Sequence, residues 1–110
     1  MAGNSTAGGR VVSNTLTANT VDLVFLSQPG QAVQVENVTG TAPIWFTVSH
    51  PGGTAQVPTV GGTSDCFCAA SVAGAVMSVR HDGMYGSVVQ LISTGTPTYT
   101  VSVGSRMVNV

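Results

Sequence analysis

The side chains able to do chemistry are few: His50, His81, Cys66, Cys68, three basic residues (Arg10, Arg80, Arg106) and four acidic ones (Asp22, Glu36, Asp65, Asp82). A metal site needs several His, Cys or carboxylate ligands converging on one point, which makes His50, His81, Cys66, Cys68 and Asp82 the candidate ligands. Cys66 and Cys68, within Asp65-Cys66-Phe67-Cys68, project to the same side of an extended strand. At about 6 to 7 Å between Cα atoms, with parallel Cβ vectors, they are poorly placed for a mutual disulfide and are expected as reduced thiols. A Cys-x-Cys pair with no second ligand pair at metal spacing reads as two small buried thiols, so no metal is expected. A cysteine or serine nucleophile needs a nearby base, and only the two histidines are available. His50 sits beside Pro51 in a Gly-rich stretch, and His81-Asp82-Gly83 reads as a hairpin turn in which Gly83 supplies a positive φ. His81 and Asp82, as chain neighbours, point to opposite sides of an extended backbone and form no triad. The carboxylates are too dispersed for glycoside hydrolysis or an EF-hand-type calcium loop. Gly52-Gly53 and Gly61-Gly62 lack the Gly-Lys-Ser/Thr ending and following helix of a phosphate loop. The sequence is therefore read as that of a non-enzyme, with no catalytic residues, no cofactor and no metal.

With so little chemistry, the composition carries the functional information. The chain has 110 residues, enough for one domain with one core. Charged residues make up 6% of it, against about 25% in ordinary soluble domains, and no Lys is present. Three scattered Arg at a net charge of −1 cannot assemble a basic patch, so no direct nucleic-acid partner is expected. A free monomer usually stays soluble through many charges of both signs and a net charge away from zero. Either Thr, Ser, Asn and Gln solvate this surface instead, or an assembly covers much of it, and the near-zero net charge favours the assembly. Residues 1–10 hold no apolar run and nothing approaches 18 consecutive apolar residues, so neither a secretory signal nor a membrane span is expected. The expectation is a chain made in the cytoplasm, complete from its own Met1.

The elements that must carry these residues are strands. Residues 1–9 are Gly, Ser, Thr, Asn and Ala after the initial Met and are expected to form a flexible N-terminal arm. From Val11 onward, β-branched runs alternate with Gly, Pro and Asn, and no window has the spacing of an amphipathic helix. Strands are expected from Val11 to Ala18, and from Val21 to Leu26 with Val21, Leu23 and Phe25 on one face. Another runs from Ala32 to Val38, with Val33 and Val35 inward and Gln34 and Glu36 outward. Ile44-Trp45-Phe46-Thr47-Val48 places Ile44, Phe46 and Val48 on one face and Trp45 on the other, so Trp45 is a candidate intermolecular contact. The stretch from Ser49 to Gly62, broken by Pro51, Pro58 and two Gly pairs, is expected to be a long surface loop. Strand patterns resume at Ser64 to Ala70, Ala75 to Arg80, Val88 to Ile92, and Thr98 to Val103, where Tyr99, Val101 and Val103 share a face. The whole is expected to be all-β, a single-domain antiparallel β-sandwich or jelly-roll-like fold of about eight short strands over residues 10–104. A partly apolar C-terminal tail, residues 105–110, follows. Besides Trp45, the candidate interface residues are Arg10, Met107, Val108 and Val110.

Three segments together resemble a known family. Ile44-Trp45-Phe46-Thr47-Val48, Pro58-Thr59-Val60-Gly61-Gly62, and Val88-Val89-Gln90-Leu91-Ile92-Ser93 with Tyr99-Thr100-Val101 are similar to small head-decoration, or capsid cement, proteins of tailed bacteriophages. The resemblance spans roughly Val11 to Val103. It implies a protein on the exterior of the virion that binds the major capsid protein, commonly as a homotrimer over a symmetry axis, with an arm touching the shell. The runner-up within the structural class is a tail, head–tail connector or fibre-associated protein. From a different class comes a carbohydrate-binding or adhesion module, for which Trp45, Tyr85 and Tyr99 are the candidate stacking side chains.

Overall fold

The computed structural model describes residues 5–8, 11–28, 30–49, 58–62, 66–83 and 86–104. Among these residues the chain is all-β, with nine strands: β1 (Ser5–Gly8), β2 (Val11–Thr15), β3 (Asp22–Leu26), β4 (Gly30–Asn37), β5 (Ile44–Ser49), β6 (Phe67–Ala69), β7 (Ala75–Gly83), β8 (Ser87–Ser93) and β9 (Thr98–Gly104). They form two sheets, one ordered β1-β3-β8-β5-β6 and the other β2-β9-β4-β7. Every pairing is antiparallel except that of β1 with β3. With β1 set aside, the chain switches sheets at every connection but β5 to β6. That order, first-eighth-third-sixth facing second-seventh-fourth-fifth, is the jelly roll, two Greek keys folded over one core.

The expected eight strands are β2 to β9. The ninth, β1, falls within the stretch read as an arm and pairs in parallel with β3, Ser5 opposite Leu23 through Gly8 opposite Leu26. Arg10 and the tail from 105 to 110 lie outside the described residues.

Period-two alternation builds the core. On β9, Tyr99, Val101 and Val103 turn inward, and on β4 Val33 and Val35 do the same while Gln34 and Glu36 face out, as the sequence predicts. Ile44 and Phe46 of β5 and Val89 and Leu91 of β8 close the core from the other sheet. Phe67 tilts against Phe46, ring centroids 5.6 Å apart.

Leu23 and Phe25 share a face of β3, as expected, and it is the outer one: Val24 and Leu26 fill the core, and Phe25 is 39% exposed. One local expectation is overturned. Residues 81–83, read as a hairpin turn, instead extend β7, with Gly83 opposite Gly30. Gly86, just before β8, has a φ of +105°. A Cβ there would strike the Leu26 carbonyl oxygen, so this position requires glycine on both counts. Of the strand expected over Ser64 to Ala70, Phe67–Ala69 forms β6, while residues 64–65 lie outside the described residues. Within the stretch expected as a surface loop, residues 58–62 carry no strand and Pro58 is buried.

Candidate interaction surface

The side chains singled out for chemistry do not converge. Among the described residues, no group of three or more His, Cys, Asp or Glu is placed to hold a metal. His50 lies outside the described residues, and so does the Asp82 side chain. Cys66 and Cys68 are free thiols, but the expectation that both are buried fails: Cys66 is half-buried and Cys68 is exposed. Strand β6 is three residues long and lies at a sheet edge, too short and too peripheral to bury both sulfurs. The Cys66 thiol donates to the Thr59 carbonyl at 3.7 Å and the Cys68 thiol to that of Ala69 at 3.7 Å. Partial burial of its sulfur, and secondarily the neighbouring Cys66, push the Cys68 thiol above its ordinary value. This is the opposite of what an activated nucleophile needs.

Trp45 is opposite Cys68 on the side of β5 turned away from the second sheet. It is half-buried there, and its outward-facing neighbours Thr47, Val88 and Gln90 are buried within the chain itself. Part of this outer face is therefore closed to partners.

The outer face of the other sheet is open and mostly uncharged. Ser13 pairs with Thr100, and their hydroxyls hydrogen-bond at 2.8 Å; Thr15 pairs with Thr98 in the same way at 2.9 Å. Hydroxyls thus supply on β2 and β9 the hydration that charges supply elsewhere. Beside them stand exposed apolar side chains: Val11 on β2, and Val38, Val72 and Val76 where β4 ends and β7 begins. The turn at that corner is fixed by Gly74 N–H donating to the Asn37 carbonyl and Ala75 N–H to that of Val72. Val72 is 61% and Val76 54% exposed, an uneconomical use of valine unless the corner is covered.

Two buried polar groups that the sequence reading missed hold this surface in place. Asp22, fully buried, accepts a hydrogen bond from the Tyr99 hydroxyl at 2.8 Å, tying β3 to β9 across the core. Burial, that hydrogen bond and the Asp22 charge push the Tyr99 phenol far above its ordinary range. Asn37, also fully buried, donates through Nδ2 to the Ala42 carbonyl at 2.7 Å and the Ala70 carbonyl at 3.0 Å. Its Oδ1 accepts from Gly40 N–H at 2.9 Å. The signal for Asp22 was in the sequence: a lone carboxylate in an apolar run. Tyr99, a candidate stacking side chain in the carbohydrate reading, is fully buried and unable to meet a sugar, and Tyr85 lies outside the described residues.

No family model matches the chain. No curated protein matches it either. Among solved structures, the pre-peptidase C-terminal domain of a collagenase from Bacillus anthracis is similar at 13% identity, over 91% of this chain and 92% of that chain, with a TM-score of 0.43. The jelly-roll order accordingly rests on the strand pairings of this chain itself.

Proposed function

We propose that this chain is a virion structural protein that decorates the exterior of a tailed-bacteriophage head and cements it by binding the major capsid protein. The supporting observation is the character of its surface: a jelly-roll sandwich with 6% charged residues, a hydroxyl-lined sheet face and exposed valines gathered at one corner. Jelly rolls serve viral capsids, lectins and cupins alike, so the fold does not choose the role. The surface favours close contact with other proteins: low charge removes repulsion between crowded copies, and exposed apolar side chains gain from being covered. Several copies engaging the shell at several footholds at once would hold by multivalency.

The test is addition of the purified protein to expanded phage heads that lack it. Cosedimentation with the heads and a higher temperature of head disruption are expected. Failure to bind such heads overturns the assignment. A copy number of only a few per particle, at the connector or tail, would move the protein to that part of the virion.

A further inference from the structure

We propose that the free edge of β7 is a self-association site, where a second copy of this chain adds its own β7 antiparallel across a two-fold axis passing through Ser78. The four sheet edges are unequal. Strands β1, β6 and β2 end their sheets with 4, 3 and 5 residues, whereas β7 ends its sheet with 9. Long edges in monomers are normally blunted by Lys, Pro, a bulge or a covering segment. Strand β7 has neither Lys nor Pro, and among the described residues no strand pairs with its outer edge. Its register with β4 shifts between Arg80 and Gly83, a bulge beyond the proposed contact, and is unbroken from Ala75 to Arg80, the stretch the contact uses. Its inner-face residues Met77 and Val79 pack on the core yet stay only partly buried, as happens where a sheet stops short.

The occupant follows from the register. In the β4–β7 pair, Glu36 lies opposite Val76, Gln34 opposite Ser78 and Ala32 opposite Arg80. A two-fold axis at Ser78 sets Val76 of one copy opposite Arg80 of the other, and Met77 opposite Val79. Each outer-face row then reads Glu36, Val76, Arg80 of the second copy. At about 4.8 Å per strand, that arginine lies about 10 Å from Glu36 at Cα, within reach of the two extended side chains lying over Val76. The symmetry makes this ion pair twice, and no like charges meet. Among the described residues, neither Glu36 nor Arg80 has an ion-pair partner within its own chain. Pairing also covers the exposed Val76 and completes the burial of Met77 and Val79. This association does not depend on the capsid reading, since two copies pair in solution whether or not they meet a head.

Light scattering after size exclusion, with sedimentation velocity, reads the result. The unaltered protein is expected at twice the chain mass. Arg80→Glu and Glu36→Arg, each bringing like charges together in both rows, are expected to return it to the monomer mass at a concentration where the parent is fully paired. Both residues face outward, and the reversed pair Glu36→Arg/Arg80→Glu is expected to restore the doubled mass, which separates lost pairing from lost folding. In a Cys66→Ser/Cys68→Ser background, Ser78→Cys is expected to give a covalent dimer on oxidation, while Val76→Cys, placed opposite Arg80 rather than itself, is not. A monomeric parent, an assembly whose mass ignores both reversals, or cross-linking through position 76 as readily as through 78 would overturn the proposal.

Discussion

At the scale of single residues, the chemistry of this chain is spent on holding itself together. Tyr99 and Asp22 show the cost and the gain. A buried carboxylate is tolerated because a phenol donates to it, and the phenol in turn becomes very hard to ionise. This gives a pH signature with a definite sign. Tyrosine in the unfolded chain loses its proton near pH 10, while Tyr99 in the folded chain keeps its own well beyond that. Above about pH 10 the unfolded state therefore binds fewer protons, and folding stability falls by up to about 1.4 kcal/mol per pH unit. Tyr99→Phe is expected to lose about 1 to 3 kcal/mol at neutral pH, by taking a donor from a buried acceptor, and to flatten the alkaline fall. Thermal unfolding of both proteins from pH 7 to 11 checks this, and parallel pH profiles would refute it. Cys68 provides a second titration. Its alkylation rate is expected to rise with a midpoint above the ordinary 9.0, and Cys66→Ser to lower that midpoint without bringing it to 9.0, since burial is the larger cause. Iodoacetamide kinetics followed by mass spectrometry measure it.

At the scale of elements, strand existence was legible and strand facing less so. Where β-branched and polar residues alternate cleanly, as in β4 and β9, the sequence separated the two faces correctly. In β3 every position but Asp22 is apolar, so periodicity had nothing to choose with. The choice was made by a tertiary partner, Tyr99, 77 residues away. The turn at residues 81–83 misled for a related reason: Asp-Gly is a strong local turn signal, yet pairing with β4 carries the strand through it. Nothing in the sequence marked Asn37 as special, although it bonds to both the β4–β5 connection and the segment after β6. Asn37→Ala is expected to destabilise the protein by about 3 kcal/mol, because two carbonyls and one N–H lose their partner together. Urea unfolding gives the number. A loss below about 0.5 kcal/mol would mean that water replaces the side chain at no cost.

At the scale of the whole molecule, the interaction surface was only half legible. Composition alone suggested the proposal that this chain meets other proteins, because a charge content that low is visible without coordinates. The position of that surface was not, since it depends on which strands end a sheet and which rows lie outward. Trp45, the obvious choice by residue type, sits on a face the chain partly closes on itself, whereas Val76 and Arg80 become notable only once β7 is seen to lack an outer neighbour among the described residues.

The jelly-roll order has a consequence for how the protein comes to exist. Strand β9, the last strand in chain order among the described residues, lies between β2 and β4 in the interior of its sheet. Ser13 meets Thr100 across 87 positions of chain. A nascent chain that has not reached residue 104 leaves β2 with no neighbour in its sheet and opens a gap between β2 and β4 in one wall of the core. Folding therefore waits for β9, and with pairings this distant it is expected in the millisecond-to-second range typical of all-β sandwiches. A chain ending before Thr98 is expected to show no cooperative thermal transition, and stalled ribosomes bearing it should display a protease-sensitive chain. If that fragment melts cooperatively, the order of assembly is not the one the topology requires.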